Sequence, residues 1–254
     1  MKPAQTLAAT ILVGCMLAAC AGPSGPRTPR DVIDRALGSA PYAAQPGEIV
    51  AREVEYQLAA RERGQYTAML DFAAGDAVVH GRNGPVPARP VFSGLQDPVT
   101  TIEWSPRTVI MSCDGNLAVS SGRYREPEGL VGTFMTVWER DDRNDDYEWS
   151  YDVAGRDDPQ PPPEVIDEDA IVVTAIDTIR GLVADCPRAG TTVPAPPVVE
   201  PATGASHGQE VSRDGTLRWY WEHRADGTRY ARVDYYTSGA WETVIERSFA
   251  SPPE

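Results

Sequence analysis

Proton transfer and nucleophilic attack need a few side-chain types at fixed spacing, and this chain offers few of them. Three histidines occur, His80, His207 and His223. His207 lies in a Pro/Gly/Ala-rich stretch and His223 among charged residues of a strand pattern, so a Ser-His-Asp triad has no support. A G-x-S-x-G elbow, a phosphate-cradling glycine loop and an H-E-x-x-H helix are all absent from the sequence. The acidic run DDRNDD (141–146) carries oxygen ligands of the calcium-binding kind but lacks EF-hand spacing, and reads as a solvated hairpin. Trp219 and Trp221 share one face of a strand. Exposed, such a pair stacks on a sugar ring; buried, it is sheet core.

One cysteine sits in a pattern. Leu17-Ala18-Ala19-Cys20 closes a segment whose charge is Lys2 and whose apolar run, Leu7 to Ala19, is too short to span a bilayer. This resembles the lipobox of bacterial lipoproteins. The resemblance implies that residues 1–19 are a signal peptide, that Cys20 is the lipid attachment site, and that the membrane is a partner through that anchor. Ala21 follows the cysteine, which in such lipoproteins implies the outer membrane, periplasmic face. Cys15 has no Leu-Ala-Ala before it and belongs to the removed segment. Cys113 and Cys186 then remain as an even pair in an oxidising compartment, so a disulfide is expected, the alternative being two buried thiols. Two cysteines cannot build a structural zinc site unaided, and neither a metal nor a cofactor is expected.

Composition bounds the rest. The 254 residues suffice for one large domain or two small ones. Hydrophobic content of 41% and a mean hydropathy of -0.35 suit a globular body with no second membrane segment. With 23 basic against 37 acidic residues the net charge is -14. Such a surface repels nucleic acid and anionic headgroups, which excludes nucleic acid as a partner; the charge reads first as solvation, with attraction of cationic partners as the alternative.

The elements that must position any site follow in order. Residues 20–29 are Pro/Gly/Ser-rich and read as a tether, with Thr28-Pro29 opening a short helix. Gly47 to Arg63 carries Val50, Val54 and Leu58 at four-residue spacing, an apolar stripe ended by Gly64. QYTAMLDFAA is a second helix and DAVVHG a short strand. Arg82 to Thr100, with four prolines, reads as a loop. The period then changes to two across TIEWSPRTVIMS, NLAVSSGRY, VGTFMTVWER and YEWSYDVAG, four strands of a meander, with Asp114-Gly115 turning the first hairpin. VGTFMTVW is apolar on both faces, so each side of this sheet needs a cover. The helices supply one, and a C-terminal meander (TLRWYWEHR, TRYARVDYY, WETVIERSF) is placed over or beside the other. The Pro-rich linker at 159–164 divides residues 30–158 from a β-rich region, 165–254, in which 187–211 reads as mobile.

Helices, a strand, a long loop and a four-stranded meander resemble the nuclear-transport-factor-2-like superfamily, to which SnoaL-like cyclases and ketosteroid isomerases belong. AREVEYQLAARERGQYTAMLDFAAGDAVV, SCDGNLAVSSGRY and GTFMTVWER followed by YEWSYDVAG carry the resemblance. It implies an α+β fold: a cone-like curved antiparallel sheet packed on N-terminal helices around a cavity, here followed by a β-rich C-terminal extension. It also implies carboxylate or histidine bases with tyrosine or carboxylic acid donors. The residues of those types are His80, Glu53, Tyr124, Tyr151 and Asp152, of which neighbours Tyr151 and Asp152 must point to opposite faces. With no catalytic motif matched, the leading expectation is an outer-membrane-anchored lipoprotein that binds a small apolar ligand or an envelope component. The alternatives are a small isomerase, dehydratase or cyclase-like enzyme, and a structural lipoprotein docking a protein partner through its C-terminal meander.

Overall fold

The computed structural model describes residues 44–140, 145–162, 178–187 and 190–250, all within one compact unit, Pro41–Glu254. The expected signal peptide, Cys20, the expected tether and the short helix expected before residue 41 lie outside the described residues, as do 141–144 of the acidic run and 163–177, which begin within the Pro-rich linker. The fold is mixed α+β with strands predominating. Helices α1 (Pro46–Arg63) and α2 (Gln65–Asp71) lead into β1 (Ala73–Gly81), β2 (Gly84–Pro87) and α3 (Ala88–Phe92). Four strands follow, β3 (Glu103–Met111), β4 (Leu117–Arg125), β5 (Val131–Arg140) and β6 (Tyr147–Arg156). Then come β7 (Arg180–Val183), β8 (Ser206–Val211), β9 (Leu217–His223), β10 (Arg229–Thr237) and β11 (Ala240–Phe249).

A seven-stranded sheet has the order β2-β1-β6-β5-β4-β3-β7, and a four-stranded sheet the order β11-β10-β9-β8. Its centre is the antiparallel β3–β6 meander. The larger sheet is buried on both faces. Ile49, Tyr56, Ala60 and Phe72 pack on Val109, Ala118, Trp138 and Trp149 on the helix side. On the far side Met135, Val137, Tyr151 and Val153 meet Leu217, Trp219, Val233 and Phe249 of the smaller sheet. The doubly apolar β5 thus has its two covers, and the C-terminal meander is the second of them.

Four local readings change. In α1 the face turned inward is Ile49, Glu53, Tyr56, Ala59 and Ala60, while Val54 and Leu58 of the predicted stripe are 52% and 49% exposed. The small Ala59 and Ala60 let the helix lie close to the sheet, and hydrogen-bond partners across the interface make room for a carboxylate. Pro85 and Pro87 do not prevent a strand, because β2 is the sheet edge, where a missing N–H costs no ladder bond. Beyond the Pro-rich linker, β7 pairs in parallel with β3 and so extends the first sheet. The end of the stretch read as mobile is strand β8, paired along its length with β9.

Candidate functional site

A cavity of about 180 Å³ lies between α1 and the strands, lined by Tyr56, Trp104, Tyr124, Phe134, Glu53 and Asp152 among others. Each lining residue is there for a local reason. Glu53 and Tyr56 are three apart on α1, one turn of one face. Phe134 and Thr136 alternate along β5 with Met135 and Val137, which point into the core between the sheets. Tyr124 lies opposite Gly132 across β4 and β5, and a Cβ on Gly132 would stand 2.4 Å from the tyrosine ring. Glycine there leaves the ring its place.

Asp152 reaches the cavity through an irregularity in β6. The register with β5 runs Val137 to Tyr151 and then Trp138 to Trp149, leaving Ser150 as an extra residue. Before this bulge Tyr147 and Trp149 face the helices; after it Tyr151 and Val153 face the other sheet. One inserted residue reverses the alternation and turns Asp152 and Ala154 toward the helices and the cavity.

The two carboxyl groups differ in their partners. Glu53 is 2% exposed; Oε1 accepts from Ser120 Oγ at 2.5 Å and Oε2 from Trp104 Nε1 at 2.8 Å. Ser120 in turn accepts from Trp138 Nε1 at 3.0 Å. Asp152 Oδ2 accepts from Thr136 Oγ1, its cross-strand neighbour, at 2.7 Å. Among the described residues its Oδ1 has no donor. Burial pushes the Glu53 carboxyl up to about 7, against the lowering effect of Ser120 and Trp104. Burial likewise pushes Asp152 up to about 6, against Thr136 and the more distant Arg229. The Tyr56 hydroxyl is held well above its usual value by burial and then by the charges of Asp152 and Glu53, and Tyr124 is pushed up to about 12 by burial and Glu126. Neither hydroxyl has a hydrogen-bond partner among the described residues, although each tyrosine is only 9% exposed.

Three of the five acid–base candidates therefore meet: Glu53, Tyr124 and Asp152. His80 and Tyr151 do not join them. Both point to the opposite face of the sheet, where His80 Nδ1 lies 2.6 Å from the Tyr151 hydroxyl and Nε2 lies 3.2 Å from His223 Nδ1. The reason is strand alternation: His80 shares its face with Val78, which packs in the core between the sheets. Burial, with His223 and Arg229 nearby, lowers His80 to about 3 and keeps it neutral. Trp219 packs tilted on Tyr151 at 4.6 Å and Trp221 meets His80 edge-on at 5.2 Å, so the tryptophan pair packs in the core between the sheets and is not a sugar platform. Tyr56, Trp104, Thr136 and Ser120 were not among the candidates. Tyr56 was detectable three residues after Glu53, but Thr136 needed the register and Trp104 the packing.

These shifts have opposite effects on stability. His80 titrates lower in the fold than in the unfolded chain, so its contribution is complete above the unfolded value of 6.5 and is lost as pH falls toward about 3. Glu53 and Asp152 titrate higher in the fold, so their contribution is complete below the unfolded values of 4.5 and 3.8 and is lost as pH rises through about 7 and 6. Glu53→Gln removes part of the second effect. Urea unfolding should show the stability of the variant gaining about 2–3 kcal/mol relative to wild type on going from mildly acidic to mildly alkaline buffer. Parallel curves for the two proteins would contradict the assignment.

No protein-family model matches the chain, and no curated protein matches it. Among solved structures, a crystal structure from Exiguobacterium sibiricum 255-15, described as a Ca/calmodulin-dependent kinase II association domain, is similar to 44% of this chain. The match covers 92% of that chain, at 16% identity and a TM-score of 0.32. Among the described residues no helix is long and apolar enough to cross a membrane, and no group of three or more metal-ligating side chains occurs.

Proposed function

We propose that this chain is a small-molecule-binding protein of nuclear-transport-factor-2-like build, with its ligand in the cavity beside α1. The observation that carries this reading is an aromatic-lined hollow into which a carboxylate oxygen, Asp152 Oδ1, opens without a donor. The element order and the helices laid on one face of the meander support the fold assignment. Cavities of about 150 Å³ accept a benzene ring, so one ring with a short arm fits this volume. The test is binding of benzyl alcohol followed through the methyl resonance of Ala154, which lines the cavity. Wild type should shift on titration, and Ala154→Leu, which fills the space, should lose binding about tenfold or more. Binding undiminished in Ala154→Leu would move the ligand elsewhere.

A second reading is favoured by the unpaired Asp152 oxygen and the free tyrosine hydroxyls in one cavity: a small isomerase or dehydratase in which Asp152 moves a proton and Tyr56 or Tyr124 donates to the substrate. Asp152-dependent exchange of carbon-bound protons for deuterium in a panel of small ketones would support it. The third expectation, docking through the C-terminal meander, loses its motive because Trp219, Tyr220 and Tyr230 are buried.

The location is proposed on the N-terminal pattern alone: an outer-membrane lipoprotein anchored at Cys20 and facing the periplasm. A Cys113–Cys186 bridge is in keeping with an oxidising compartment. Cys20→Ser should move the protein from the membrane fraction to the soluble one. Unchanged fractionation would refute acylation.

A further inference from the structure

The cavity says something about the charge of what it holds. Its lining carries three acidic side chains, Glu53, Asp152 and Glu126, and no basic one. Glu126 is satisfied at the rim, where Arg156 Nε and Nη2 donate to it at 2.8 and 2.6 Å. Glu53 has a donor on each oxygen. That leaves three unpartnered acceptors among the described lining groups: Asp152 Oδ1 and the hydroxyl oxygens of Tyr56 and Tyr124. Both tyrosines are more than nine-tenths buried, and neither hydroxyl has a hydrogen-bond partner among the described residues. Around these acceptors stand the rings of Tyr56, Trp104, Tyr124 and Phe134.

We propose that the ligand of this cavity is a small primary ammonium ion attached to one apolar ring. An ammonium has three donors and no acceptor, which suits Asp152 Oδ1 and two tyrosine oxygens. Its charge would meet the carboxylate directly and the ring faces by cation–π attraction. An anionic ligand would instead face the carboxyl groups of Glu53 and Asp152 with no basic side chain in the lining to offset them. A neutral ring without a donor would cover Asp152 Oδ1 and leave it unpaired. The raised affinity of both carboxyls for protons points the same way, since a positive charge is what the site lacks. The acidic surface would enrich cations near the entrance.

The inference rests on the binding reading above, and the experiment separates the two. Benzylammonium, benzyl alcohol and benzoate are titrated into the full chain near neutral pH, with the cavity resonances as readout. Benzylammonium should bind at least about tenfold more tightly than benzyl alcohol, and benzoate should not bind. Asp152→Asn should bring the two affinities within about twofold, chiefly by weakening benzylammonium. Glu53→Gln, which keeps an acceptor for Trp104, should reduce the preference part of the way. Its unfolding curve and that of Asp152→Asn establish that both variants fold. Equal binding of alcohol and ammonium by wild type, or a preference that survives Asp152→Asn, would overturn the ammonium and leave the cavity. Failure of all three compounds to bind would overturn both.

Discussion

Replacing Cys113 and Cys186 together by serine is expected to lower stability by about 4 kcal/mol, because the bridge closes a loop of 73 residues in the unfolded chain. For a chain of this length that corresponds to a fall in melting temperature of about 10 °C. The bridge sits where the two sheets meet. Cys113 is in the turn between β3 and β4, and its N–H donates at 2.9 Å to Thr216 Oγ1 in the turn between β8 and β9. The strand leaving β7 is pinned on both sides, Ala184 N to Met111 O at 2.9 Å and Asp185 N to Tyr236 O at 2.8 Å. Opening the disulfide releases this connection from both layers. Urea unfolding with and without reductant measures the effect; a loss under about 1 kcal/mol would show that the backbone bonds alone hold the seam.

The second large effect belongs to a buried ion pair on the outer side of the smaller sheet. Arg218 and Asp234 have side chains 2% and 1% exposed. Arg218 Nε donates to Asp234 Oδ2 at 3.1 Å, Nη2 donates to the same oxygen, and Nη1 to the Pro197 carbonyl. Asp234 Oδ1 accepts from Arg232 Nε at 2.9 Å and Thr243 Oγ1 at 2.7 Å. Asp234→Ala leaves a guanidinium buried without its counter-charge and should cost about 3–5 kcal/mol. Arg218→Met combined with Asp234→Leu should recover most of that loss, since two apolar side chains of similar volume need no partner. The comparison isolates the cause: a double variant as unstable as Asp234→Ala would mean that packing, rather than an orphaned charge, sets the cost. The same arginine holds the Pro-rich segment by a backbone carbonyl, so proteolysis near Pro197 should quicken in the double variant, which lacks that arginine.

Much of the candidate site could be read from local pattern. Glu53 on the long helix, and Tyr124 and Asp152 on the meander, were recognisable because residue type and strand period are local properties. That Tyr151 and Asp152 part to opposite faces also follows from strand geometry alone. Which of the two faces the cavity does not. It depends on the bulge at Ser150, and a bulge is a mismatch between two strands that neither strand states by itself. His80 shows the same limit. Its residue type suits a base, and only the second sheet, packed against it through Trp221 and His223, makes it a neutral core side chain.

Sequence by itself determined the long helix, the central meander, the need for two covers on β5 and the expectation that Cys113 pairs with Cys186, because alternation, turn residues and cysteine arithmetic act over short range or by exclusion. Tertiary structure decided which stripe of α1 turned inward, how β2 and β7 joined the sheet, and which polar groups shared one hollow. Those outcomes rest on register and on close approach between segments far apart in the chain, where a shift of one residue exchanges the buried face for the other.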